Sequence, residues 1–305
     1  MQRVLVTTGR GFTDIDGFAC VIAYTHLLRQ EKHDVIAYLP SPINHSVPNY
    51  VLQWNLDYST DYLIRPDDRF VVTDVSDPTQ LPEGVRDSSI IELYDHHFGF
   101  EKHWSDRIHE KSKIEQIGAC GTLIVEEYQK RANTRISSQV ANLLALAIVS
   151  NTLNFNAGVT HERDRVAFQY LMPFLTLEKE WVQNYFSSND THVYANPEDS
   201  MQGDTKVVQS PFIQGELAIA QLELWEGESF IEKNMAVIKR MIQTSVAPHW
   251  VLTVVSIRDG HNYLYTTSQV VKDVLKKKIG ATFEGDRGTT NTLLLRKEIL
   301  RELKA

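Results

Sequence analysis

Short apolar runs rich in β-branched residues alternate with longer stretches of helical period through the first half of the chain. The pattern predicts strands near Arg3 to Thr7, Asp34 to Leu39, Phe70 to Thr73 and Ile90 to Tyr94. Helices are predicted at Asp16 to Gln30, Gly121 to Arg131, Gln139 to Leu153 and Arg163 to Phe174. Strands that are apolar at nearly every position have no face for water. They must be covered on both sides, which predicts an α/β fold with a mainly parallel sheet. In such sheets ligands gather at the carboxyl ends of the strands.

The stretch SSNDTHVYANPEDSMQGD, residues 187 to 204, loses this periodicity and is rich in Ser, Asn, Asp and Pro. It is the predicted linker, dividing the chain into domains 1–190 and 191–305. Beyond it GELAIAQLEL and HWVLTVVSI read as strands, HNYLYTTS continues them after the Asp259-Gly260 turn, and TNTLLLRK closes the set. With helices at Phe230 to Ser245 and Gln269 to Lys278, the second unit is expected to be a smaller α/β domain. A substrate cleft is expected between the two domains.

Composition narrows the chemistry. The chain has 305 residues, is 42% hydrophobic and carries a formal charge of -8 with no Lys/Arg-rich block. A general electrostatic grip on nucleic acid or anionic membrane is therefore not expected. A small anionic substrate requires metal ions or a local basic cluster to offset that field. No leader-like apolar segment opens the sequence and no run approaches a membrane span, so the expected location is the cytoplasm. Cys20 and Cys120 are too few for a disulfide framework or a thiolate zinc site. G-x-S-x-G, Walker-type and H-E-x-x-H motifs are absent, so the chemistry must come from Asp and His.

Those residues stand at the predicted strand ends. GRGFTDIDG follows the first strand, RFVVTDVSD ends in Asp74, and SIIELYDHH ends in Asp95, His96 and His97. Each piece has an ordinary reading: Asp14 or Asp16 as a helix cap, Asp74 as a turn residue, a histidine at a sheet edge. If the sheet is parallel, however, Asp14, Asp16, Asp74, Asp95, His96 and His97 share one edge. Carboxylates crowded there repel each other unless a cation is present. Oxygen and imidazole ligands suit Mn²⁺ or Mg²⁺.

In order, TDIDG, VVTDVSD, YDHH and AIVSNTLNF resemble the four motifs of the DHH phosphoesterase superfamily, named for the triplet seen here as Asp95, His96 and His97. In the second half GDTKVV, AIAQLEL and LLLRKEIL are similar to the accessory domain of family II inorganic pyrophosphatases and exopolyphosphatases. The Gly-Gly-Gly-His motif of the nuclease branch is absent. The resemblance implies that Asp16, Asp74 and His96 ligate one divalent ion and that Asp14 and Asp74 help hold a second. It implies that Asp95 orients His96, and that His97, Lys206, Arg296 and Lys297 contact substrate phosphate. An Arg-Lys pair leaving an apolar strand can also meet a phosphate on general grounds.

Two positions depart from the family pattern. Arg10 stands where members have histidine, and Asn151 stands where they have aspartate. Arginine stays protonated and is no metal ligand, but its guanidinium can take the place of one cation. Asn151 is expected to offer a neutral oxygen to the remaining ion. One or two ions, Mn²⁺ or Mg²⁺, are thus expected, and the expected reaction is metal-assisted phosphoryl transfer to water on a small phosphoanhydride or phosphoester. The alternative is a degenerate member that binds phosphate compounds or a partner without turnover. A homodimer is allowed for, and neither a nucleic-acid nor a membrane partner is expected.

Overall fold

The run Val4–Thr7, β1, is buried at all its positions, as an apolar strand without alternation requires. In the computed structural model, which describes residues 2–304, it is joined by β2 (Val35–Ala37), β3 (Arg69–Thr73), β4 (Ile90–Asp95) and β5 (Ser112–Ile114). The five strands form one sheet in the order β2-β1-β3-β4-β5, parallel throughout. From β1 the chain goes first to one side and then to the other. The strand order therefore switches between β1 and β3, and the crevice outside their carboxyl ends is the natural ligand position.

The helix Ile15–Gln30 leaves β1 and is buried almost all round, from Ile15 to Tyr24 without interruption. It packs against the helices Cys120–Lys130 and Ser138–Asn151, the latter buried from Val140 to Val149. The predicted helix over Arg163 to Phe174 spans Glu162–Leu171 and tightens into a 3-10 turn at Met172–Phe174, where Pro173 has no N–H to continue the ladder. A helix at Glu101–Ile108 and the short strand β5 were not foreseen; both are too brief for a periodic signal.

The chain divides into two units. One comprises everything up to Phe155 with Val159–Val182, and the other Asn156–Gly158 with everything from Gln183 onward. The segment expected to be a linker is helical instead, as Trp181–Ala195 and Pro197–Gly203. Most of its polar residues keep contact with solvent, while Tyr185, Phe186 and Met201 are buried together with the single carboxylate of Asp190, so packing overrides local propensity.

The second unit holds a six-stranded sheet. Its strands are β6 (Thr205–Ser210), β7 (Ile213–Leu224), β8 (His249–Ser256), β9 (His261–Tyr265), β10 (Thr282–Glu284) and β11 (Arg287–Thr289), in the order β10-β11-β9-β8-β7-β6. Only the β7–β8 pair is parallel. Both faces are covered: Ala218, Ala220 and Leu222 of β7 enter one apolar cluster, Leu217 and Ile219 the other.

The expected strand TNTLLLRK is not one. Both backbone groups of Leu294 are taken by the side-chain amide of Asn262, at 2.8 Å and 2.6 Å, so this stretch pairs with a side chain and the helix Arg296–Lys304 follows. The helix expected over Phe230 to Ser245 is split at Asn234 into Glu228–Lys233 and Met235–Thr244. Among the described residues no helix is long and apolar enough to cross a membrane.

Asp190 is only 8% exposed and receives the Trp225 N–H at 3.0 Å. Burial pushes its carboxyl up to about 7, with Glu226 adding to the shift and the Trp225 N–H opposing it. Because the folded-state value lies above the unfolded one, this contribution is complete at acid pH and is lost as pH rises through about 7. The thermal midpoint should fall as pH rises from about 4 to about 7 and level off above that, with Asp190 accounting for up to ~4 kcal/mol across the whole interval. Asp190→Asn should flatten that part of the profile; parallel profiles for the two proteins would disprove the assignment.

Candidate metal centre

The loop after β1 ends at Asp14, whose extended backbone caps the helix Ile15–Gln30 while its carboxylate accepts the Gly17 N–H at 3.0 Å. Two residues on, Asp16 is fully buried. Its oxygens accept the N–H groups of Cys120 and Gly121, both at 2.8 Å, at the start of the helix Cys120–Lys130, where the helix dipole favours an anion. The glycine of TDIDG has a steric reason. A Cβ at Gly17 would sit 2.8 Å from Thr8 Oγ1 and 3.3 Å from Asp74 Oδ2, so any larger residue would have to displace Thr8 and crowd Asp74.

Asp74 follows β3 in the left-handed region, φ 61°, which aspartate tolerates better than most residues. It is 3.4 Å from His96 Nε2 through Oδ1, a buried oxygen with no hydrogen-bond partner. His96 Nε2 is also 3.9 Å from Asp16 Oδ2. On its other side His96 Nδ1 meets the Ile117 carbonyl at 3.3 Å. A carbonyl only accepts, so that contact places the proton on Nδ1 and leaves the Nε2 lone pair facing the carboxylates.

Asp95 ends β4, fully buried. Its Oδ1 gathers the backbone N–H of His96 and His97 at 2.7 and 3.1 Å and the ring Nδ1 of His97 at 2.8 Å; Oδ2 has no partner. The ring that Asp95 holds is thus His97, whereas the family resemblance had placed it behind His96. That place is taken by the Ile117 carbonyl, a backbone group no residue pattern reveals. His97 keeps Nε2 free, with 64% of its side chain exposed.

Burial pushes Asp74 well above the ordinary carboxylate range, and the charges of Asp16, Asp14 and Asp95 push it further. Asp16 is raised chiefly by burial, with the neighbouring His96 and the two N–H donors pulling the other way. Asp74, His96 and His97 each bring one ligand atom within 4.8 Å of the others. Crowded carboxylates, the orphaned buried Oδ1 of Asp74 and an imidazole lone pair turned toward it are what a divalent cation would satisfy, and these residues fit one.

Asn151, the last residue of the helix Ser138–Asn151, donates its side-chain N–H to Asp16 Oδ2. The amide nitrogen, not the oxygen expected for a ligand, meets the carboxylate. Arg10 is exposed and lines a cavity of about 460 Å³ with Asp14, Asp74 and His97. Two further histidines of the first unit, His103 and His161, are engaged elsewhere: His103 pairs with Asp87 at 2.8 Å and His161 caps the helix Glu162–Leu171. The N–H pair of Cys120 and Gly121 was missed from sequence; its available signal was the small-residue run GACG opening a helix.

In the second unit Lys206 lies exposed on β6, paired in register with Ile219 of β7. Arg296 opens the final helix with its guanidinium 2.6 Å from Asp204 Oδ1 and hydrogen-bonded to the Asp204 carbonyl, and its backbone N–H goes to Gln221. Expected as a phosphate contact, it is already paired. Lys297 beside it is exposed.

The description "DHH family, N-terminal domain" matches residues 4–148. A manganese-dependent inorganic pyrophosphatase of Methanothrix thermoacetophila is 20% identical over the whole chain and 96% of its own length. A Thermotoga maritima protein named "Probable manganese-dependent inorganic pyrophosphatase" is 29% identical over 128 residues, 40% of this chain and only 22% of that protein. Among solved structures, the Methanococcus jannaschii protein assigned to family II inorganic pyrophosphatases has a TM-score of 0.60 at 18% identity, with 98% of both chains covered. An exopolyphosphatase-related protein from Bacteroides fragilis has a TM-score of 0.55 at 10% identity, covering 99% of this chain and 90% of its own. Fold, motif order and strand-end carboxylates agree, and residues 4–148 are a DHH-family N-terminal domain.

Proposed function

We propose that this chain is a phosphohydrolase that uses a divalent ion, manganese first, to cleave a small phosphoanhydride or phosphoester with water. The observation that carries the reading is the buried, unpartnered Oδ1 of Asp74 beside His96 Nε2, amid carboxylates that repel it. A bound ion would polarise the phosphoryl group and lower the pKa of water. Asp14, Asp16, Asp74 and His96 would hold it. Hydrolysis forms one P–O bond to the water oxygen and breaks one to the leaving group. His97, its Nδ1 anchored on buried Asp95, presents Nε2 to accept the proton the water loses and to pass it to the leaving oxygen, and Asp95 stabilises the ring while it is charged. Lys206 and Lys297 are assigned to phosphate, with Arg296 held in support by Asp204.

The Asn151 N–H on Asp16 favours a second reading, a protein that binds phosphate compounds without turnover, because it satisfies in part a carboxylate that the family gives to metal. Phosphate release from pyrophosphate, tripolyphosphate, nucleotides and short oligonucleotides, with Mn²⁺ and with Mg²⁺, separates the two. Turnover of the small compounds, lost on chelation and restored by manganese, is expected. Activity confined to oligonucleotides would overturn the substrate class, and none on any compound would leave the binding reading.

A further inference from the structure

Two phenylalanines beside these carboxylates keep most of their surface in water. Phe12 is 62% exposed and Phe98 58%. Each adjoins a glycine in the left-handed region, Gly11 at φ 108° and Gly99 at φ 126°. A Cβ at either glycine would meet nothing within 4 Å, so these glycines serve the backbone path rather than close packing. The path they allow brings both rings into the wall of the cavity that Arg10, Asp14, Asp74 and His97 line.

Inorganic pyrophosphate has no use for such a wall. It is a strongly hydrated anion, and the negative face of a phenyl ring offers it no attraction. A planar heteroaromatic ring joined to a phosphate uses both halves of the cavity, because aromatic side chains stack with any nucleobase through its π-face. Its phosphate finds Arg10, exposed and with no carboxylate paired to its guanidinium among the described residues, together with the His97 ring. About 460 Å³ lies within the range of small-molecule sites.

We infer that the site takes a nucleotide, its base against Phe12 and Phe98 and its phosphate between Arg10 and the Asp74, His96 and His97 group. The inference rests on the hydrolase reading for where the phosphate goes, but base recognition does not depend on turnover.

Calorimetric titration of the manganese-loaded full chain with adenosine and cytidine 5′-monophosphates, ribose 5-phosphate and pyrophosphate tests it. The nucleotides should bind roughly tenfold or more tighter than ribose 5-phosphate. Phe12→Ser with Phe98→Ser should erase that advantage while leaving ribose 5-phosphate affinity within about twofold; both rings are largely exposed, so the fold should survive, as circular dichroism can verify. Equal affinity for nucleotide and sugar phosphate, no binding of nucleotide, or nucleotide affinity unmoved by the double substitution would overturn it. Ring-dependent binding without hydrolysis would instead overturn the hydrolase reading and keep this one; pyrophosphate turnover without nucleotide preference would do the reverse.

Discussion

Asp74→Asn should lower manganese affinity by about a hundredfold or more and hydrolysis by about a thousandfold, yet raise the melting temperature of the metal-free protein. The two effects share one cause. Asp74 is buried among Asp14, Asp16 and Asp95, so its charge is costly without a cation and valuable with one. Asparagine tolerates the left-handed backbone at φ 61° nearly as well as aspartate, so the substitution removes charge with little change of shape. Relief of roughly 1 kcal/mol would lift the midpoint by about 2–4 °C in a unit of this size.

The sign with pH follows. The folded-state pKa of Asp74 lies above its unfolded value, so the metal-free protein loses stability as pH climbs above the ordinary carboxylate range, and Asp74→Asn should flatten that loss. Scanning calorimetry in chelator, beside manganese titration at neutral pH, reads both. A lower midpoint in the metal-free variant would mean that Asp74 is a structural group and not a cation ligand.

Arg10→His combined with Asn151→Asp should add a second tightly bound ion to each chain, where the unmodified protein is expected to hold one. Asn151 now donates an N–H to Asp16 Oδ2. An aspartate there would set one carboxylate against another, which only a cation can offset. Arg10 lines the cavity with Asp14 and Asp74 as a fixed positive charge; histidine would replace it with a neutral donor able to bind metal. Asn151→Asp alone should destabilise the metal-free chain by about 1.5–3 kcal/mol, since it removes a hydrogen bond to a buried charge. Manganese should then stabilise the double variant more than the native protein. Elemental analysis gives the stoichiometry. Two ions already present in the native chain would end the one-ion reading.

The acidic edge was legible because two signals coincide in the sequence. VLVT and RFVVT are apolar enough to be buried strands, and the charged residues stand just past their ends, where a parallel sheet must bring them together. What escaped was decided by contacts between residues far apart. Residues 187 to 204 look like a loop in composition, but Phe186 stacks on Trp225 with ring centroids 5.8 Å apart, and such burial makes a helix of a polar stretch. TNTLLLRK has strand composition, and Asn262, thirty-two positions from Leu294, takes its backbone. Which histidine Asp95 grips, and that Arg296 is spent on Asp204, depend on side-chain direction, to which motif spacing is blind.

Both sulfhydryls of the chain, Cys20 and Cys120, belong to the first unit and are wholly enclosed. They bracket Asp16: Cys20 Sγ is 3.4 Å from one of its oxygens, and Cys120 gives its backbone N–H to the other. Burial holds both thiols above their ordinary pKa, so alkylation must wait for this part of the structure to open. A maleimide therefore acts as a built-in clock for the first unit alone. Its rate counts excursions in which the helix starts around Asp16 come apart, and the second unit, without a single sulfhydryl, stays silent throughout.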